Sequence, residues 1–559
     1  MNPVREGGSG FGRRFASRGA AYGPVALAAL LVAAALLAPY RSQSFERPDG
    51  VMVEVPRLDR VTHVSDVWDY LQLGRRVYRG DGFTTLCTYV PFLPASGGGP
   101  PFPLFWRQPV YPVLVAGAFA LAGRPSPDAF LVLQGLSVLA LGWGTLLLAR
   151  RLVPPGWAVL AALWALASPL ALGVHEPLVT TTLFAGLVPV LVWCLLAARS
   201  LPAILLTGAL VGASYLFRQE TALLLPGFVV LGILAAPAGG AARRAGEVAL
   251  AGLAALVVVS PWLLRSLRMT GDPLFNAASL LFHDTETFPS WTASRTLAIL
   301  EYTSWEFLRA QPDDVAVKSG LNLLRFGRDA LLLPGFLLAP LFWLAILRPR
   351  LLPGGRVFVR GGLVLGGVLV VALAPMEYAP RFLAPLVPLA VIAAAGAAAA
   401  FAGGGHGLAV PGGARFWNRA GGGITVFLAG ALTLSLGTRA AGKTGAVALG
   451  GLAAVLDEPA VAAALGEGVL LTDAPTVYAW VWDRPAVWAP VPADLAAVGR
   501  LLPGSAAVLT CAAGVGDGLE PGLADAYRAG TAAEVTPGSG PCPAAFLLRE
   551  PARPVEGAP

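Results

Sequence analysis

The chain has 559 residues and a mass of 57.6 kDa, with 56% hydrophobic residues, only 13% charged residues and a mean hydropathy of +0.67. Average soluble proteins carry about 25% charged residues, so this chain has too little polar surface for a globule of its size and reads as an α-helical polytopic membrane protein. Its net charge of +7 comes almost wholly from arginine, since Lys318 and Lys443 are the only lysines, and in so apolar a chain it does not point to nucleic acid.

Residues 1–18 carry Arg5, Arg13, Arg14 and Arg18 and read as a cytoplasmic N-terminus. The apolar run that follows is too long for a typical cleaved signal and reads as an uncleaved first span. A hydrocarbon core of about 30 Å takes roughly 17–25 helical residues. Eleven stretches meet or come close to this length, near 19–40, 129–149, 156–174, 177–198, 200–217, 221–242, 248–264, 330–347, 361–376, 382–405 and 420–438. Short cytoplasmic loops retain Lys and Arg. With the N-terminus inside, Arg150 and Arg151, Arg199, Arg243 and Arg244, Arg348 to Arg360, and Arg415 with Arg419 all fall on the cytoplasmic side. That parity requires the apolar run 108–123 to dip into the outer interface without crossing. The membrane module is then 19–438, with exported loops 41–128 and 265–329, and an exported tail at 440–559.

The first exported loop contains Asp66-Val-Trp-Asp69-Tyr70, which reads as the start of an amphipathic helix. Asp66, Asp69 and Tyr70 share one face by the i, i+3, i+4 rule, with Ser65 or Asp66 as the cap. This pattern also fits a capped helix on a solvated surface. Further on, Glu176 in His175-Glu176-Pro177 is the only acid between Asp128 and Glu220. An acid isolated in apolar sequence is costly unless it meets water or a partner, which makes Glu176 a candidate site residue. A plain interfacial turn residue before Pro177 fits equally well.

Arg107, Arg218, Arg265 and Arg381 fall near the same outer surface, against the positive-inside trend. Their planar, two-pronged guanidinium groups suit an anionic lipid phosphate, although pairing with neighbours such as Glu220 or Glu377 is the alternative. The tail has six basic against twelve acidic residues and reads as a small α/β domain, with strands at 469–472, 486–489 and 506–510 and a helix at 494–502. Cys511 and Cys542 lie there and are able to pair if the tail is exported. With Cys87 and Cys194 they show no metal-ligand spacing. No phosphate-binding loop, dinucleotide fingerprint or hydrolase elbow occurs in a fitting context.

Several of these pieces occur in the order of a known family. The Asp66-x-x-x-Tyr70-x-x-x-Gly74-Arg75 helix with Gly80-x-Gly82-Phe83, Arg107-Gln-Pro109-Val-Tyr111-Pro112, Ala149-Arg150-Arg151-Leu152, Pro261-Trp262-Leu-Leu-Arg265 through Gly271-Asp-Pro273-Leu-Phe275, and Arg381-Phe-Leu-Ala-Pro385-Leu-Val-Pro388 together resemble the GT-C class of polyprenyl-phosphate-sugar-dependent glycosyltransferases. That family includes protein O-mannosyltransferases and aminoarabinose transferases, and the resemblance covers roughly residues 20 to 400. It implies inverting transfer of a sugar from a polyprenyl-phosphate donor in the membrane to a hydroxyl acceptor on the outer face. Asp66 matches the family's catalytic acid and Glu176 its second acidic motif. Asp69, Tyr70, Arg107, Arg218, Arg265 and Arg381 are the substrate-binding candidates, with Arg265 and Arg381 foremost for the phosphate. The chain departs from the family in following Asp66 with Val67 rather than a second acid, and in having Glu176 where aspartate is usual. No cofactor is expected. Without an Asp-x-Asp pair no tightly bound metal is expected either, although some relatives use divalent ions.

A multi-pass transporter or flippase is the alternative reading. It calls for ionisable groups at mid-membrane or inverted repeats with broken helices, whereas these spans are nearly uncharged. A non-catalytic scaffold presenting the acidic tail to a partner is the third.

Overall fold

A computed structural model describes residues 10–402 apart from 48, 57–65, 98, 105, 174–179, 237–239, 276–277, 289–291 and 353–354. It also describes 468–502 except 473, and the strands 506–509, 532–535 and 544–548. The expected span at 420–438, Lys443, Cys511 and Cys542 lie outside the described residues.

Helix α1 (Gly10–Leu37) is followed by a hairpin of β1 (Gln43–Glu46) and β2 (Met52–Val55), then α2 (Asp66–Arg79). Short strands β3 (Thr84–Thr85), β4 (Cys87–Thr88) and β5 (Phe102–Pro103) precede α3 (Val110–Ala122) and α4 (Pro127–Leu152). The chain continues through α5 (Pro155–Leu166), α6 (Thr181–Ala197), α7 (Leu201–Phe217), α8 (Thr221–Leu234) and α9 (Ala241–Thr270). Next come α10 (Ala278–Phe282), α11 (Ser304–Ala310), α12 (Pro312–Leu331), α13 (Ala339–Leu347), α14 (Gly355–Leu373) and α15 (Val387–Ala402).

Among the described residues, four helical stretches are long and apolar enough to cross a membrane: 127–152, 241–270, 355–373 and 380–402. Their burial separates the centre of the bundle from its rim, since 89% of the apolar window in 380–402 is buried against 17% of that in 241–270. α9 therefore turns Leu253, Leu256 and Val257 outward, as a lipid-facing helix does.

The bundle differs from the expected spans in two ways. Charged ends are part of the helices: α9 runs from Ala241 to Thr270 and includes Arg243, Arg244, Arg265 and Arg268, because long arginine stems reach polar surroundings from within a helix. The stretch expected as one span at 330–347 is instead the end of α12, a turn around Pro334-Gly335, and a short α13. Proline lacks the donor to continue a helix, and Gly335 adopts a left-handed φ of 90°.

Two helix contacts depend on the absence of a side chain. A Cβ on Gly144 of α4 would lie 2.3 Å from the carbonyl oxygen of Gly186 in α6, so these two backbones touch directly. A Cβ on Gly74 of α2 would lie 2.3 Å from Cγ1 of Val115, which sets how closely α2 packs on α3.

The C-terminal segment adds β6 (Leu470–Thr472), α16 (Pro475–Val481), β7 (Ala486–Trp488), α17 (Leu495–Leu501), β8 (Ala506–Leu509), β9 (Ala532–Val535) and β10 (Ala544–Leu548). Its six-stranded sheet has the order β4–β7–β6–β8–β10–β9. β4, β7, β6 and β8 run parallel, while β10 is antiparallel to both β8 and β9. The edge strand β4 comes from the first loop, with Cys87 opposite Ala486 and Thr88 opposite Val487. The tail is therefore not self-contained. This also changes the reading of α2, whose residues from Val67 to Arg75 are all buried between α3 and α16 rather than lying on a solvated surface.

Gly144→Val should lower the unfolding temperature of the detergent-solubilised protein, at an overpacking cost of roughly 1–3 kcal/mol. Gly246→Ala, where an added Cβ meets nothing within 4 Å, should leave it unchanged.

Candidate active site

Asp66 opens α2, and Asp69 lies one turn later; carboxylates in a first helical turn are favoured by the partial positive charge of its free N–H groups. Their side chains take different surroundings. Asp69 is 3% exposed: its Oδ1 accepts from Gln72 Nε2 at 3.1 Å and from the Cys87 thiol at 3.6 Å. Its Oδ2 accepts from Arg107 Nε at 2.8 Å. The other end of the same guanidinium, Nη2, pairs with Asp66 Oδ1, and the group lies 5.3 Å over the ring of Tyr70. Arg107 thus bridges both acids. The Asp66 side chain remains 27% accessible.

Behind this bridge, Tyr70 packs edge-on against Tyr111 at 4.5 Å, and Tyr111 against Phe217 at 5.5 Å. The hydroxyl of Tyr111 meets the amide of Gln134 on α4. These contacts fix the α2 face against α3, α4 and α7.

Asp66, Tyr70 and Arg107 open onto a cavity of about 190 Å³. Arg218 and Glu220 reach it from the turn between α7 and α8, Asp284 from the segment after α10, and Glu377 and Arg381 from the connection between α14 and α15. Arg218 is tied to its neighbour Glu220 at 2.5 and 3.2 Å, donates to Thr180 Oγ1 at 3.1 Å, and lies over Phe184.

The charges act on one another. Burial by itself raises the pKa of the Asp66 carboxyl, but the guanidinium of Arg107, followed by those of Arg381 and Arg218, outweighs it and holds the group below its ordinary value of 3.8. Glu220 behaves alike: burial raises it, and Arg218 more than compensates. In return, the surrounding anions, Asp66 first, outweigh burial at Arg107 and keep its guanidinium more firmly protonated than usual. The cavity is thus a set of ionised groups of both signs, with three arginines brought in from three separate stretches of chain.

The remaining sequence candidates lie elsewhere. Arg265 does not line this cavity: its Nη1 donates to the carbonyl of Leu104 and its Nη2 to that of Phe83 at 3.0 Å, with the guanidinium 4.8 Å over Trp262. It ties α9 to the loop that carries Arg107. Glu176 and His175 lie outside the described residues. Among the described residues, no group of three or more His, Cys, Asp and Glu side chains is placed to hold a metal ion.

Sequence reasoning gave no role to Tyr89, Trp106 or Arg75. Tyr89 and Trp106, 5.8 Å apart, form an aromatic wall of the cavity, and no spacing rule marks loop aromatics as neighbours across seventeen positions. Arg75 clamps α2 to the C-terminal segment, donating to the carbonyls of Ala479 at 2.6 Å and Trp480 at 2.8 Å, pairing with Asp483 at 2.9 Å and lying 4.6 Å over Trp480. Burial pushes its pKa down to about 10, and Asp483 opposes that shift.

No protein-family model matches the sequence, and no curated protein sequence matches it at a significant level. In three dimensions the chain matches the crystal structure of ArnT from Cupriavidus metallidurans bound to undecaprenyl phosphate, with a TM-score of 0.50 and 14% sequence identity, over 92% of this chain and 95% of that one. The match shows an ArnT-like fold, in which four of the described helical stretches are long and apolar enough to cross a membrane.

Replacing Arg75 with Met should destabilise the docked C-terminal segment by about 2–4 kcal/mol, because buried carbonyls lose charge-assisted donors. Limited proteolysis should then cut within 468–509 at protease concentrations that spare the parent protein.

Proposed function

We propose that the chain is a GT-C glycosyltransferase that moves a sugar from a polyprenyl-phosphate donor to a hydroxyl acceptor at the outer face of the membrane. The observation that carries this reading is the Asp66 carboxylate, ionised and half-open to a cavity that also holds Arg107, Arg218 and Arg381. Support for the donor class comes from the matched fold, whose crystal structure holds undecaprenyl phosphate.

In the reaction, the acceptor oxygen attacks the anomeric carbon as its proton passes to an Asp66 oxygen. The bond between that carbon and the phosphate oxygen breaks, and polyprenyl phosphate leaves. One displacement inverts the anomeric configuration. General-base help of this kind contributes about 10²–10⁴ in rate, and pre-placed cations stabilise the charge that develops on the departing phosphate.

Arg107 connects the two tasks. Paired with Asp66, it keeps the carboxylate ionised but makes it a weak base. A donor phosphate is a competing anion with fork-like geometry, and drawing Arg107 toward it would loosen Asp66 and restore its basicity as substrate arrives. Asp69, holding Nε of the same guanidinium, keeps the group at hand. Arg218 and Arg381 are the further phosphate ligands of this proposal. Arg265 serves as a positioning residue, and Glu176, the family's second acid by resemblance, as an orienting group for acceptor or sugar.

Purified protein in lipid nanodiscs, supplied with polyprenyl-phosphate sugars and a hydroxyl acceptor, tests the reading directly. Asp66→Asn should lose transfer by about 10²–10⁴ while folding and expression are unchanged. Retained transfer would overturn the assignment of the base.

The acid limb of kcat/KM supplies a second test. In the parent enzyme it should lie below pH 3.8, since the free carboxyl is held below that value and activity is lost only as pH falls through the lowered pKa. Arg107→Gln removes the strongest of the three cations that lower this pKa, leaving Arg381 and Arg218, and the limb should move up, by about one unit for a lost ion pair.

A further inference from the structure

Helix α12 (Pro312–Leu331) lies outside both the membrane-length and the shorter apolar helices, yet its outer face is apolar. Val317, Leu321 and Leu324 follow one another at intervals of four and three on one side of the helix and are 63%, 50% and 73% exposed; the next position on that side is Arg328, beyond which Leu331 is again exposed. The opposite face is packed. Val315, Asn322 and Phe326 are buried, Asn322 Nδ2 donates to the carbonyl of Ala374 at 2.8 Å, and Phe326 meets Tyr378 edge-on at 5.1 Å.

The outer apolar face does not end with the helix. It continues through Leu332 into Phe336, which is 80% exposed, and so joins the apolar helix α13. On the other side Trp305 is exposed with the guanidinium of Arg309 at 4.9 Å, an aromatic and cationic pairing typical of the headgroup level. Asp313, Asp314, Lys318, Arg325 and Arg328 are too many charges for a spanning helix, while the exposed patch of Val317, Leu321 and Leu324 is ill suited to water. A helix with one charged and one apolar side lies in the plane of the interface.

We infer that α12 is an interfacial helix whose Val317–Leu321–Leu324 face is immersed in the lipid leaflet, making the bilayer itself part of the wall outside the cavity. Its occupant is lipid, because the apolar face runs on through the exposed Leu332, Phe336 and Leu337 into the apolar helix α13 and is flanked by the Trp305–Arg309 pair. Arg328 lies on the same side, its side chain 69% exposed and its guanidinium held by Asp329 and the Tyr378 hydroxyl.

Two cavity walls rest on the inner face of this helix. Asn322 and Phe326 brace the segment containing Leu373, Glu377 and Arg381, and Lys318 Nζ donates to the carbonyl of Leu281 at 2.5 Å beside Asp284. A lipid-borne phosphate at headgroup depth would meet α12 on its way to the arginines. The immersion itself rests only on the membrane fold, and not on the transfer reaction.

Collisional relaxation of nitroxide labels in nanodiscs tests this. Labels go on Leu321→Cys and Leu324→Cys, with Leu256→Cys on α9 as the lipid reference and Asp49→Cys in the exposed β1–β2 hairpin as the aqueous one; the signal of the labelled parent protein is subtracted. The inference expects the α12 labels to match Leu256→Cys, relaxed by oxygen in preference to a water-soluble nickel chelate. Relaxation dominated by the chelate, as at Asp49→Cys, would place the face in water, and protection from both agents would assign it to a protein partner. Either result overturns the inference.

Discussion

The arrangement depends on one guanidinium shared by two carboxylates. Arg107 reaches across from the loop before α3 and takes Asp69 with Nε and Asp66 with Nη2, so α2 and that loop cannot separate without exposing a buried charge. Such a pair is costly to break from one side only, because the partner left behind remains desolvated. Yet it is unequal: Asp69 is enclosed by Gln72 and Cys87, while Asp66 faces the cavity. Of the two bonds, the one to Asp66 is thus the one an incoming anion can displace.

The surrounding fold serves to hold this bridge in place. Gly74 lets α2 press on α3, and Arg75, the next residue, fastens the other side of α2 to the backbone of α16. The C-terminal sheet takes its edge strand from Cys87 and Thr88, and the Cys87 thiol is itself one of the donors that enclose Asp69. Tail and first loop are therefore one unit. Arg265 adds a third tie, from the outward-facing helix α9 to the carbonyls of Phe83 and Leu104. A fold of this kind, matching ArnT over nearly its whole length at 14% identity, retains its architecture while most side chains differ.

Much of this was legible from residue pattern alone. Apolar runs located helices at 129–149, 200–217 and 382–405, and the alternation in the tail located its strands, because both signals are local. Asp66, Arg107, Arg218 and Arg381 line one cavity, whereas the sequence grouped them only by an expected membrane level, an argument from topology rather than from spacing. What could not be read were choices between partners. Asp69 and Tyr70 follow Asp66 on one face, but Asp69 turns inward because Gln72, Thr85 and Cys87 build a polar nest for it. Arg265 and Arg381 looked equivalent, and only the loop fold gives Arg265 two carbonyls to bind. The burial of α2 was hidden for the same reason: its covering helix, α16, lies some four hundred residues away.

The central claim is that Asp66 and a lipid phosphate compete for Arg107. Equilibrium binding of polyprenyl phosphate to the parent protein and to Asp66→Asn, both in nanodiscs at neutral pH, measures this competition. Removing the carboxylate's charge should tighten binding of the lipid phosphate, since Arg107 then has no rival anion at its open end. Unchanged or weaker binding by Asp66→Asn, with Arg107→Gln equally without effect, would contradict the account.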